Sequence, residues 1–189
     1  MIRKSEFKAM KLELDKFDND REQIIKKSRD ILKDSKRAIY ALHRSSSEAS
    51  KLLSNARKGI TEIKKIIAKD PLLAQVGAFN EALQEYVEAS TYSSFLAGKD
   101  LPSAKALGVD TEDYLMGLSD LTGELVRKAV RDATRENYDS VVKIKDFVEE
   151  LYAEMLKFSF RSGHLRKKFD SIKYNLASVQ DLVLKIKLK

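Results

Sequence analysis

Four carboxylates in two short segments are the clearest chemical equipment of this chain. Glu85 and Glu88 lie in Leu83-Gln84-Glu85-Tyr86-Val87-Glu88-Ala89, and Asp120 and Glu124 lie in Asp120-Leu121-Thr122-Gly123-Glu124. Residues three or four apart share a face of an α-helix, so each pair leaves one side of its own helix if both segments are helical. Two such helices laid side by side would gather four hard oxygen ligands. That donor set suits Mg²⁺ or Mn²⁺, and a carboxylate-held Mg²⁺ is a common device for hydrolysing a phosphodiester. A second reading of the same residues stands beside this one, because acids at these spacings also populate solvated helix faces and pair with lysines. On a helical projection Phe79, Leu83, Tyr86 and Val87 point one way and Glu81, Glu85 and Glu88 the other, while Glu124 can pair with Arg127 or Lys128.

Other chemistries lack residues to carry them. The chain has no cysteine, which removes disulfides, thiolate metal sites and a cysteine nucleophile. Its two histidines, His43 and His164, fall in no Glu-x-x-His pair, which argues against a di-iron bundle. No Gly-rich loop, P-loop or nucleophile elbow is present. If the chain catalyses a reaction, carboxylates and a metal are its means.

The elements that must position these groups are helices. Among 189 residues only 7 are Gly and 2 are Pro, too few turn formers for a sheet fold, and 43% hydrophobic content supplies an ordinary core. We expect an all-α fold, a bundle of about six to seven helices forming a single domain over residues 1–189. The first helix runs unbroken from about Ser5 to Arg44. Ile24, Ile31, Ser35, Ala38, Ile39 and Leu42 share one of its sides, and Lys26, Arg29, Lys33, Lys36, Arg37, Tyr40 and Arg44 the other, with His43 beside them and Arg21 extending the row. A basic stripe with an aromatic residue and few acids has the form of a phosphate-tracking surface, although a lysine-rich solvent face has the same composition.

Ser45-Ser46-Ser47 breaks this helix, and a second runs to about Lys69 before Asp70-Pro71. A third extends from Leu72 or Phe79 to Ala97 and carries Glu85 and Glu88. Ser103 to Leu107 adds one turn. Asp110-Thr111-Glu112-Asp113 resembles a capping box opening a fourth long helix to about Ala133, which carries Asp120 and Glu124 and contains Gly117 and Gly123. A fifth spans about Tyr138 to Phe158, a turn follows from Ser159 to Gly163, and a last helix shows a heptad seam of Leu165, Phe169, Ile172, Leu176, Val179, Val183 and Ile186. That seam either closes the bundle or contacts another protein chain.

The net charge of +7 favours polyanionic partners. The N-terminal residues contain no apolar h-region, and no apolar run is long enough to span a bilayer, so a cytoplasmic protein without membrane contact is expected.

Taken together, Asp15-Lys16-Phe17-Asp18, Ser28-Arg29-Asp30-Ile31, Ser35-Lys36-Arg37 and Leu42-His43-Arg44 resemble the translin family. So do the two acidic segments, Asp113-Tyr114-Leu115-Met116-Gly117, and Leu165-Arg166-Lys167-Lys168-Phe169-Asp170 with Lys173-Tyr174. The resemblance covers almost the whole chain and is nearer to the factor X branch than to translin itself. It implies a translin-like α-α superhelix whose subunits assemble into a hollow octameric shell enclosing RNA, single-stranded or duplex, and a Mg²⁺-dependent endoribonuclease in which Mn²⁺ can substitute. It also implies that Glu88 and Glu124 bind the metal directly while Glu85 and Asp120 complete the cluster and hold or activate the attacking water. It points to a homo-oligomer, leaving open a translin-like partner subunit. The alternatives are a non-catalytic RNA- or single-stranded-DNA-binding scaffold, and a helical adaptor using the C-terminal seam.

Overall fold

A computed structural model describes residues 2–161 and 163–188. Among the described residues there are seven α-helices, one 3₁₀ turn and no strand. They are α1 (Lys4–His43), α2 (Glu48–Ile67), α3 (Gly77–Leu96), α4 (Ala104–Leu107), α5 (Thr111–Ala133), α6 (Tyr138–Met155) and α7 (His164–Lys187), with the 3₁₀ turn at Pro71–Gln75. Several boundaries have a local cause. Ser45 adopts a positive φ of 55° after α1. Asp70 caps the 3₁₀ turn by accepting from the Leu72 N–H, and Asp110 caps α5 by accepting from the Asp113 N–H at 2.8 Å. Of the turn expected at Ser159 to Gly163, Ser162 lies outside the described residues.

The chain divides into two compact units, Met1–Tyr86 and Val87–Lys189. The boundary falls inside α3, so one helix contributes to both. In the first unit α1 and α2 pack along each other. The expected apolar face of α1 is buried at Ile24, Ile31, Ser35, Ala38 and Ile39, and α2 answers with Leu52, Ala56, Ile60 and Ile63. Gly59 allows a close approach between them, since a Cβ there would stand 2.8 Å from Cγ1 of Ile31.

In the second unit α7 packs on both α5 and α6. Leu121, Leu125 and Ala129 of α5, Val141, Ile144 and Val148 of α6, and Phe169, Ile172, Leu176 and Val179 of α7 form its core. The middle of the heptad seam therefore closes the bundle. Past it Leu184 is exposed, and so is Leu188 after the helix ends. Among the described residues no helix is long and apolar enough to cross a membrane.

Candidate functional site

α5 carries Asp120 and Glu124 because its apolar positions fill the second unit's core while these two acids sit at the margin of that packing. Its register against α7 is held by buried Phe169 and Ile172 and by a hydrogen bond from Asn175 Nδ2 to Thr122 Oγ1 at 2.8 Å. This register brings Lys168 of α7 to Asp120, and the ammonium donates to Oδ2 of the carboxylate. Both side chains are about one-third exposed. Burial pushes the Asp120 carboxyl above the ordinary aspartate value, and the hydrogen bond and charge of Lys168 offset that only in part.

One turn further on, Glu124 has only 13% of its side chain exposed and pairs with Arg127 Nη1 at 3.0 Å. Lys128, the other basic residue within reach along the helix, turns instead to Asp132 at 2.7 Å. Gly123 lies opposite α7, where a Cβ would meet Asn175 Nδ2 at 3.8 Å, an ordinary contact. The packing reason expected for a helical glycine is thus stronger at Gly59 in the first unit than here.

The structure corrects one expectation about α3. Glu88 does not lie on a solvated face, being 8% exposed, and every residue from Tyr86 to Tyr92 is buried. The two-sided projection fails here because Glu88 sits among buried Val87, Ala89, Ser90 and Thr91, so this stretch of α3 has no solvated side. Thr91 contributes to this by donating its hydroxyl to Val87 O at 2.7 Å, which satisfies the group without water. A buried carboxylate costs several kcal/mol unless a cation or hydrogen-bond donors compensate it, so Glu88 is not an ordinary surface acid. Glu85 is half-buried one turn earlier, on the part of α3 that belongs to the first unit.

Tyr92, one turn beyond Glu88, is 1% exposed. Burial pushes its phenol pKa well up, and the charge of nearby Glu124 raises it further. The second unit thus brings the end of α3 into the electrostatic field of Glu124. Sequence reasoning missed both Tyr92 and Lys168. The only signals were position, i+4 from Glu88 for the tyrosine and one place before a seam residue for the lysine.

Hard carboxylate donors with no soft ligand among them suit Mg²⁺ or Mn²⁺ in kind. Among the described residues, no three acidic or histidine side chains stand close enough to hold one metal ion. The structure pairs Asp120 with Lys168 and Glu124 with Arg127.

The basic row on α1 belongs to the first unit. Arg21, Lys26, Arg29, Lys33, Lys36, Arg37, Tyr40 and Arg44 are exposed there, Tyr40 at 60%, whereas His43 is half-buried. The face is not wholly free of acids, since Arg37 binds Glu48 at 2.7 Å and Arg21 binds Glu22 at 3.3 Å.

Comparison with known proteins places these residues in context. The family model described as "Translin family" matches residues 19–189. Translin-associated protein X of Mus musculus is 26% identical over 97% of this chain and 78% of its own length. An uncharacterized protein of Methanocaldococcus jannaschii is 30% identical over 81% of this chain and 70% of its own. Among solved structures, apo-NeC3PO superposes with a TM-score of 0.87 at 27% identity, covering 94% of this chain and 95% of that one. A complex of AfC3PO with duplex RNA superposes with a TM-score of 0.88 at 22% identity, covering 97% of each, a likeness of fold.

Proposed function

The chain belongs to the translin family, and from that premise we propose that it is a Mg²⁺-dependent endoribonuclease working as a homo-oligomeric, RNA-enclosing shell, an octamer by the family resemblance. The observation that carries the catalytic part is the burial of Glu88 together with the low exposure of Glu124. These two acids stand where little water competes for their oxygens, which would favour coordination of a divalent ion.

Glu88 and Glu124 would hold the ion directly, with Glu85 and Asp120 completing the set. An ion held there would supply a water of lowered pKa and charge neutralisation at the phosphate. The chain's own groups do the rest. Asp120, whose carboxyl is raised by burial, is suited to accept a proton from the attacking water. The exposed cations of α1 hold the RNA backbone by neutralising phosphates. The RNA complex of a protein with this fold supports the substrate class.

Self-association is supported by the first turns of α1. Phe7, Met10 and Leu14 are 62%, 55% and 64% exposed, and their 3–4 spacing continues through Phe17 toward the buried Ile24 and Ile31. An apolar row of this kind suits packing against another copy of the chain.

The test is cleavage of a short labelled RNA in Mg²⁺ and after EDTA, with the wild type, Glu88→Gln and Glu124→Gln. Cleavage should need the ion and be lost in both variants, while RNA retention and helix content persist. Equal cleavage with and without EDTA would refute the metal role.

A second reading, a non-catalytic RNA-binding scaffold, is favoured by one observation. Asp120 and Glu124 already have basic partners, and no three acids are grouped among the described residues. Calorimetric titration with Mg²⁺ separates the two readings, because a scaffold needs no ion at these residues.

A further inference from the structure

The corner between α6 and α7 carries a ladder of four aromatic rings. Phe158, just past α6, stacks on Phe160 with ring centroids 5.6 Å apart and planes 9° from parallel. Phe160 in turn meets Phe169 at 5.0 Å and 46°, and Phe169 stacks on Tyr152 of α6 at 5.5 Å and 16°. The inner end is anchored, because Phe169 is buried in the core of the second unit. The outer end is open, with Phe158 50% exposed and Leu156 exposed near it in the chain. From Met155 to Phe169 the sequence has no acid and carries Lys157, Arg161, Arg166, Lys167 and Lys168. Lys157 pairs with Glu154 at 2.6 Å, and Arg166 pairs with Asp170 at 3.0 Å while lying over the Phe169 ring at 5.7 Å. Arg161 and Lys167 are exposed and have no ion-pair partner among the described residues.

An exposed aromatic ring set among cations fits a nucleobase with a phosphate on either side. Bases of any kind stack on aromatic rings, and flanking cations neutralise the backbone. A protein partner fits less well, because the core of a protein interface is depleted of charge, and here two exposed apolar groups stand within a run of cations. A paired base is covered on both faces by its neighbours in the helix, so only an unpaired one can be splayed onto a ring. We propose, resting on the RNA binding that the nuclease and scaffold readings share, that Phe158 is a stacking platform for an unpaired RNA base. Phe160 and Phe169 hold the platform in place, and Arg161 and Lys167 take the phosphates next to that base. The linked ring contacts fix the platform before RNA arrives, so little ordering accompanies binding. The cations of α1 track phosphates in any RNA, whereas this corner distinguishes an unpaired strand from a duplex. The contact requires no metal ion.

The experiment uses the full-length protein with an uncleavable 2′-O-methyl RNA, given as a single strand and as a blunt duplex of the same sequence. The chain contains no tryptophan, so Phe158→Trp introduces a lone fluorescent reporter at the platform. Its emission should be quenched by the single strand and not by the duplex. Phe158→Ala should bind the single strand roughly fivefold more weakly, the low end for one base stacked on one ring. It should keep wild-type affinity for the duplex and wild-type salt dependence, since no charge is lost. Arg161→Gln combined with Lys167→Gln should instead lower the slope of log affinity against log salt by roughly 0.7 for each single-strand phosphate contact removed. Unchanged single-strand affinity in Phe158→Ala, an equal loss on the duplex, or no quenching of Phe158→Trp at saturating RNA would overturn the platform and leave RNA binding standing. A smaller oligomer of Phe158→Ala in sedimentation, with RNA affinity intact, would overturn it in favour of a contact between protein chains. A wild type that binds neither RNA would remove the RNA-binding reading and this inference together.

Discussion

Replacing Asp132 with Asn should destabilise the second unit in a way that depends on pH. Asp132 is 6% exposed and accepts from Lys128 Nζ at 2.7 Å and Ser140 Oγ at 2.6 Å. Burial alone would raise its carboxyl pKa, but the hydrogen bonds from Lys128 and Ser140, with the charges of Lys128 and Arg135, outweigh burial and hold it below the ordinary aspartate value. Asparagine has nearly the same volume, so no cavity forms and the loss is confined to the two polar contacts. Hydrogen bonds to a charged group contribute about 1.5–3 kcal/mol each. Lys128 and Ser140 are only half-buried and can turn to water, which puts the net loss near the low end, about 2 kcal/mol in all. For a chain of this size that corresponds to a fall in Tm of roughly 4–8 °C.

The sign with pH follows from the depressed folded pKa. The contribution is fully present above the unfolded aspartate value of about 3.9 and is lost as pH falls through the folded value. Urea unfolding of wild type and Asp132→Asn, at one fixed protein concentration, should therefore show a gap near pH 7 that narrows as pH falls below about 3.9. A gap that stays constant over this range, or none at neutral pH, would show that the network does not stabilise the fold through its charge.

Three further outcomes are expected. Ser35→Ala should leave stability unchanged or raise it by up to about 1 kcal/mol in urea unfolding, because the Ser35 hydroxyl is fully buried without a hydrogen-bond partner. Gly59→Ala should lower stability by about 1 kcal/mol despite alanine's better helix propensity, since the new methyl meets Ile31 inside van der Waals contact and overpacking costs about 1–3 kcal/mol. A thermal melt rising above that of the wild type would contradict this. The pair Lys33→Ala and Lys36→Ala should weaken RNA binding at low salt and reduce the slope of log affinity against log salt by roughly 1 to 2, with little change in helix content. Binding that loses affinity without any change in slope would mean these lysines do not contact phosphate.

Local information settled much of this molecule in advance. The length of α1, its end near Ser45, the cap at Asp110 and the break at Asp70-Pro71 all follow from propensity, capping chemistry and period, which act within a few residues. The basic row on α1 was equally legible, because eight of its nine members needed only the helical repeat to be placed on one exposed face. The four acids were singled out from residue type and spacing and from the resemblance that their segments carry.

What the tertiary structure decided was which of those groups meet water and which meet one another. Glu88 reads as a surface acid from its own helix, yet it is 8% exposed and lies in a run of α3 that is buried from Tyr86 to Tyr92. Asp120 acquires Lys168 from 48 residues away, a pairing that depends on how α5 and α7 interlock and leaves no trace in the spacing of either segment. Tyr92 meets the field of Glu124 for the same reason. Periodicity is a property of one helix, whereas burial and ion pairing are properties of helices packed together, and the chemistry of the acidic residues belongs to the second kind.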